Sequence, residues 1–223
     1  MSALGALLRK DLLLELRTRE SVPAMALFSV GAFVVFHFGL NRTGLSGDLA
    51  SGVLWVTLLL AGLLGVGRLF VTDSEQGGID AVRLAPVAGD ALLAAKVLAL
   101  LAYLGAFQVL AVPAFAILLL GPSLWPALPG LLAVLLLADL GIAVAGTLAS
   151  ALAVQTRARE LIVALIGLPL LLPIILSAAR ATAPLLAAET PGTLPGRWLA
   201  VLGLYDVVFA LVAIAVFDFL LDD

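Results

Sequence analysis

Long apolar runs separated by short polar stretches set the pattern of this chain. Runs of about 20 residues, the length that crosses a bilayer core as a helix, fall at approximately 22–40, 50–71, 91–120, 127–153, 160–179 and 198–220. They are continuous Leu, Ala and Val stretches, without the alternation of a membrane β-barrel. The third run exceeds the need. It is expected to start in the interface, tilt, or bend at Pro113. Ahead of the first run, residues 3–20 read as an amphipathic helix. Leu4, Leu7, Leu8, Leu12 and Leu16 recur at spacings of three and four, with Arg9, Lys10, Arg17 and Arg19 offering charge on the other side. Such a helix either lies flat in the inner interface before the chain turns into the bilayer, or is a cytoplasmic extension of the first membrane helix. The expected fold class is therefore an all-α membrane protein: one domain over 1–223, six transmembrane helices and an interfacial helix before them.

Composition agrees. The chain is 63% hydrophobic and 12% charged, against about 45–50% and about 25% in soluble domains. Lysine and arginine set the orientation. With the N-terminus inside, the inner side holds Arg9, Lys10, Arg17, Arg19, Arg68, Arg83, Lys96, Arg157 and Arg159, and the outer side only Arg42, Arg180 and Arg197. Both termini of this multi-pass protein are therefore expected in the cytoplasm. Trp55, Trp125 and Trp198 fall near outer helix ends, where indoles favour headgroups. Lys96 and Arg68 are expected to snorkel to the inner interface. The stretch at 180–197 reads as a short re-entrant or interfacial outer piece. "RTRE" at 17–20 and "RARE" at 157–160 each precede an apolar run, which positive-inside and helix-dipole preferences account for without a duplication.

Several chemistries are excluded. There are no cysteines, so no disulfide or zinc–thiolate site. A net charge of -3 offers no basic surface for nucleic acid. The only lysines, Lys10 and Lys96, follow Arg9 and Ala95, so neither completes G-x-x-x-x-G-K-[ST], the loop that wraps nucleotide phosphates. One histidine cannot make H-E-x-x-H, and G-x-S-x-G is absent. An enzyme working within this single chain is not expected, and no cofactor is assigned to it.

Polar residues inside the runs are costly and often functional. Asp139, near the middle of the fourth run, suits a proton relay, a substrate contact, or a structural hydrogen bond. Gly141 and Gly146 beside it let another helix approach closely. Asp206 is placed to meet an arginine or an outer cavity, and Gln108 to bond to another helix. His37, flanked by Phe36 and Phe38, is either a ligand or an ordinary interfacial histidine.

The inner loop "VTDSEQGGIDAVRLAP" at 71–86 is unusually polar. Asp73 or Ser74 can cap a helix, with Glu75 in its first turn. Gly77 and Gly78 permit a change of direction. Ile79 and Val82 share a face beside Asp80 and Arg83, and Pro86 closes the unit. Two readings stand: a short amphipathic helix that docks a partner, or a solvated loop.

The stretches "LLRKDLLLELRTRE", "VLWVTLLLAGLLGVGRLFVTDSEQGGIDAVRLAP", "AGTLASALAVQTRARELIVALIGLPLLLPIIL" and "LGLYDVVFALVAIAVFDFLLDD" occur in this order. Together they resemble the CcmB-type haem exporter subunit of cytochrome c maturation, a branch of the ABC-2 class of transporter membrane subunits. The resemblance covers nearly the whole chain. It implies a dimer of two copies, a separate CcmA-like ATPase that binds ATP, other membrane haem-handling subunits and a periplasmic haem chaperone, with haem as the substrate of the complex. It implies that Ser74, Glu75, Gly77, Gly78, Ile79, Asp80, Val82 and Arg83 form the coupling helix that docks on the ATPase. Family members often carry a run of Glu and Arg there, where this chain is more neutral. ATP hydrolysis in trans would drive haem export or release of a haem-loaded chaperone. The competing readings are an ABC-2 exporter of another substrate, a proton-coupled carrier using Asp139 and a non-transporting membrane scaffold.

Overall fold

Unbroken apolar sequence folds as helix in a bilayer, because every backbone N–H and C=O must be satisfied within the segment. The computed structural model describes residues 3–40, 44–70, 89–153, 159–188 and 192–222. Its helices are α1 (Ala3–Thr18), α2 (Ser21–Gly39), α3 (Gly47–Arg68), α4 (Gly89–Leu118), α5 (Leu128–Ala153), α6 (Arg159–Thr182) and α7 (Gly196–Asp222), with a 3₁₀ turn at Ala183–Leu186. Six segments are long and apolar enough to cross a membrane. The described residues form no strand, only an isolated bridge between Leu45 and Leu120. The protein is thus an all-helical membrane protein with a leading helix, consistent with the ABC-2 type.

Helices α3 and α5 form the centre. Helix α5 packs on α6, α7 and α4. Helix α3 packs on α6 and α2, and α2 leans on α4. Trp55, Phe33, Phe107 and Phe115 are fully enclosed. Small residues bring the helices together at two places. A Cβ on Gly141 would stand 2.9 Å from Ile174 Cδ1, and one on Gly146 would stand 2.6 Å from Val66 Cγ2.

Helix α4 runs continuously through Pro113. Its 30 residues span about 45 Å at the helical rise, longer than a hydrocarbon core of about 30 Å. Helix α6 contains Pro169 and Pro173. The Tyr205 hydroxyl of α7 donates to the Leu170 carbonyl in the turn between them.

Helix α1 packs on α4. Its buried face differs from the expected leucine stripe. Leu7, Leu8 and Leu12 do face the core, but Asp11 sits among them, 5% exposed, while Leu16 is exposed. The reason is a cation on α4, described below. An elbow joins α1 to α2. Arg19 adopts a left-handed backbone, φ 55°, and its N–H donates to the Glu15 carbonyl at 2.7 Å. The Glu15 carboxylate then accepts from Val22 N–H at 2.8 Å and Ser21 N–H at 3.3 Å, satisfying donors that a helix start leaves free.

At the opposite end of the bundle, the loop before α3 is stapled to the loop after α4. Leu45 N–H donates to Leu119 at 2.7 Å, and Gly121 N–H donates to Leu45 at 2.9 Å. Glycine is required there, since a Cβ on Gly44 would lie 2.7 Å from Gly121 Cα. The 3₁₀ turn buries Ala183, Leu185 and Leu186 at this end, against α3.

The tryptophans divide. Trp125 is exposed, and Trp198 stacks under Arg197, 4.8 Å from guanidinium carbon to ring centre. Trp55 is a core residue instead of an interfacial one. It is fully buried, and its indole N–H donates to Thr182 Oγ1 at 3.0 Å.

Candidate functional site

The residues expected to form the coupling helix, Ser74, Glu75, Gly77, Gly78, Ile79, Asp80, Val82 and Arg83, lie outside the described residues. Both flanks are described: Leu69 and Phe70 after α3, and Gly89 at the start of α4.

Lys96, two turns into α4, holds these flanks. It is 2% exposed and does not snorkel. Its ammonium lies 3.0 Å from Asp11 Oδ2, donates to the Leu69 carbonyl at 3.3 Å, and sits 5.1 Å from the centre of the Phe70 ring. An ammonium inside protein at membrane depth needs a counter-charge and acceptors, and Asp11 and Leu69 supply them. This pulls Asp11 onto the inner face of α1. Tyr103, seven residues along α4 from Lys96, donates to the Asp11 backbone carbonyl at 3.1 Å. Lys10 reaches the same carboxylate at 3.4 Å. Sequence reasoning missed this node. One signal was present: Lys96 and Tyr103 share a helical face in the otherwise apolar "AAKVLALLAYLG". Arg68 stays accessible and faces Glu20 at 3.6 Å, both exposed, a contact of small energetic weight.

The polar residues within the spans fall into two groups. Gln108 on α4 and Asp139 on α5 meet: Gln108 Nε2 donates to Asp139 Oδ1 at 2.8 Å, with both side chains buried. Asp206 on α7 is separate. It is 5% exposed, and its Oδ1 has no hydrogen-bond partner among the described residues. It lies over Gly141, where a Cβ would come within 2.5 Å of Oδ1. No arginine pairs with it among the described residues. His37 is exposed, its Nδ1–H donating to the Leu118 carbonyl at 2.5 Å and its ring edge-on to Phe38. It ties the end of α2 to the end of α4.

A cleft of about 360 Å³ opens between α4, α5 and α7. Leu93, Val97, Val144 and Ile214 line it, with Asp90 at its edge.

The family model described as CcmB protein matches residues 2–219. Among curated relatives, the heme exporter protein B of Rhodobacter capsulatus is 36% identical over 190 residues, covering 83% of this chain and 86% of its own length. That of Paracoccus denitrificans is 33% identical, covering 84% and 86%. That of Bradyrhizobium diazoefficiens is 30% identical over 210 residues, covering 93% of both chains. The match spans α1 through most of α7, including the Asp11–Lys96 node and the Gln108–Asp139 pair, and by it this chain belongs to the CcmB family.

Proposed function

We propose that this chain is the membrane-spanning subunit of an ABC-type haem-export complex in cytochrome c biogenesis. The observation that carries the reading is full-length membership of a family whose relatives are named heme exporter protein B. A CcmA-like ATPase in trans supplies the nucleotide site, since neither lysine of this chain lies in a phosphate-binding loop. The residues from Ser74 to Arg83 dock on that ATPase. Their flanks, Phe70 and Gly89, lie at the α1 end of the bundle, the end that the lysine and arginine bias assigns to the cytoplasm. Both termini are then cytoplasmic, and the membrane is the prokaryotic inner membrane.

Two copies assemble, so that the two ATPase subunits face each other. ATP draws them together, and rigid-body movement through 74–83 reaches α3 and α4. The far face then changes shape, exporting haem or releasing a haem-loaded periplasmic chaperone, with other haem-handling membrane subunits alongside. Haem is substrate here and no resident cofactor is assigned.

The test is to replace Glu75, Asp80 and Arg83 together and measure co-purification with the ATPase and its stimulated hydrolysis. Both are expected to fall. Unchanged binding and turnover would remove the docking role.

A further inference from the structure

We propose that Lys96 is a positioning residue that locks helix α1 to both roots of the 71–88 segment, so that α1, the end of α3 and the start of α4 move as one body. The lever of the complex then includes α1. This rests on the docking role proposed for residues 74–83.

Three observations converge on Lys96. First, it is buried although its helix is apolar; an ammonium at this depth is retained only where fixed acceptors surround it. Second, two other segments supply partners to it. Asp11 belongs to α1, and Leu69 and Phe70 belong to the end of α3. The side chain itself starts from α4. A single charged group therefore bridges three elements, two of which lead directly into the 71–88 segment. Third, the same α1 turn is held a second time, by Tyr103 on the Asp11 carbonyl. Two contacts from one face of α4 to one residue fix α1 in rotation as well as position.

A buried pair of this kind adds little to stability compared with apolar residues of the same size. What it adds is directional: the contacts to Asp11 and Leu69 are kept only when α1, Leu69 and α4 hold this arrangement. Displacing the α3 root or α1 alone breaks one of these contacts to a buried charge, which is costly in a low-dielectric setting. The inexpensive displacement is a joint one.

The chain contains no cysteine, so paired labels can be introduced cleanly. Leu13→Cys on α1 and Leu98→Cys on α4 replace exposed leucines. With spin labels there, the otherwise wild-type chain in nanodiscs is expected to give one narrow distance distribution. The double variant Asp11→Leu/Lys96→Met keeps volume, removes both charges and is expected to fold, but to give a broad distribution. Lys96→Arg, which preserves charge and donors, is expected to stay narrow.

The same variants, assembled with the ATPase, are then compared for holocytochrome c formed per ATP hydrolysed. The double variant is expected to lose about tenfold in this ratio, the scale of one disrupted coupling element, with its KM for ATP unchanged. Lys96→Arg is expected to restore the ratio. A narrow distribution in the double variant overturns the lock, whatever the ATPase does. A broad distribution with an unchanged ratio overturns the positioning role. If replacing Glu75, Asp80 and Arg83 leaves the ATPase bound and stimulated, the docking reading fails and transmission through this body fails with it. The distance measurement on the chain alone then still decides whether Lys96 holds α1.

Discussion

Trp55 on α3 donates its indole N–H to the hydroxyl of Thr182 on α6, 3.0 Å away and 127 residues distant in sequence. The same hydroxyl donates to Ala178 at 2.7 Å. Thr182 thus relays between a core tryptophan and its own helix. Removing one member leaves the other unsatisfied in a dry interior, at about 1–3 kcal/mol. Thr182→Val and Trp55→Phe should each lower the thermal midpoint of the purified protein. The double variant should lose less than the sum of the two, which a double-mutant cycle reads directly.

The Gln108–Asp139 bond predicts a contrast between polar and apolar replacements. Asp139→Asn keeps an acceptor for the Gln108 amide, whereas Asp139→Leu strands it. Interhelical bonds of this type are worth about 0.6–2 kcal/mol in membranes. Asp139→Asn should therefore fold and sustain ATP-dependent holocytochrome c formation with an unaltered pH profile. Loss of a pH-dependent activity independent of ATP would instead favour a proton-coupled carrier.

Close packing at two glycines gives a steric prediction. Gly141→Ala places a methyl against Asp206 and Ile174, and Gly44→Ala places one against the Gly121 backbone. Overpacking of this kind costs about 1–3 kcal/mol. Gly44 should be the less forgiving, because backbone cannot rotate away. Gly31→Ala, with nothing within 4 Å, is the control and should leave the melting midpoint unchanged or raised.

The α1–α2 elbow offers opposite outcomes at neighbouring positions. Arg19 holds φ 55°, a conformation that costs an L-residue about 1–2 kcal/mol and glycine far less. Arg19→Gly should stabilise the elbow. Glu15→Ala should destabilise it by about 0.5–2 kcal/mol, the range for a lost helix cap. Hydrogen exchange of the Val22 amide would register both.

The spans were legible in sequence because a bilayer imposes one length scale on any apolar run. Which face each residue presents was much less legible. Trp55 and Trp125 both fall near outer helix ends, yet one is buried and the other exposed. What separates them is Thr182, a partner that local pattern cannot show. Lys96 fails for the same reason. Snorkelling is the cheapest fate of a lone lysine near a helix end, until Asp11, far away in sequence, supplies a counter-charge. Gln108 and Asp139 could each be singled out as polar groups in apolar surroundings. That they bond to each other depends on the register between α4 and α5, which composition does not carry. Asp206 gave the same local signal, but its packing on Gly141 emerges only from the fold.

The staple between Leu45 and Leu119 acquires a further meaning beside Lys96. It joins the start of α3 to the end of α4 on one side of the membrane. Lys96 joins the end of α3 to the early turns of α4 on the other. The two helices are thus rails with a rung near each extremity, about 30 Å apart along the 22 residues of α3. Pinned once, such rails could scissor, and a tilt at one end would die out as splay. Pinned twice, they can only tip together, so a push at the α1 end arrives on the far side as a displacement of the loops around Gly44 and Gly121.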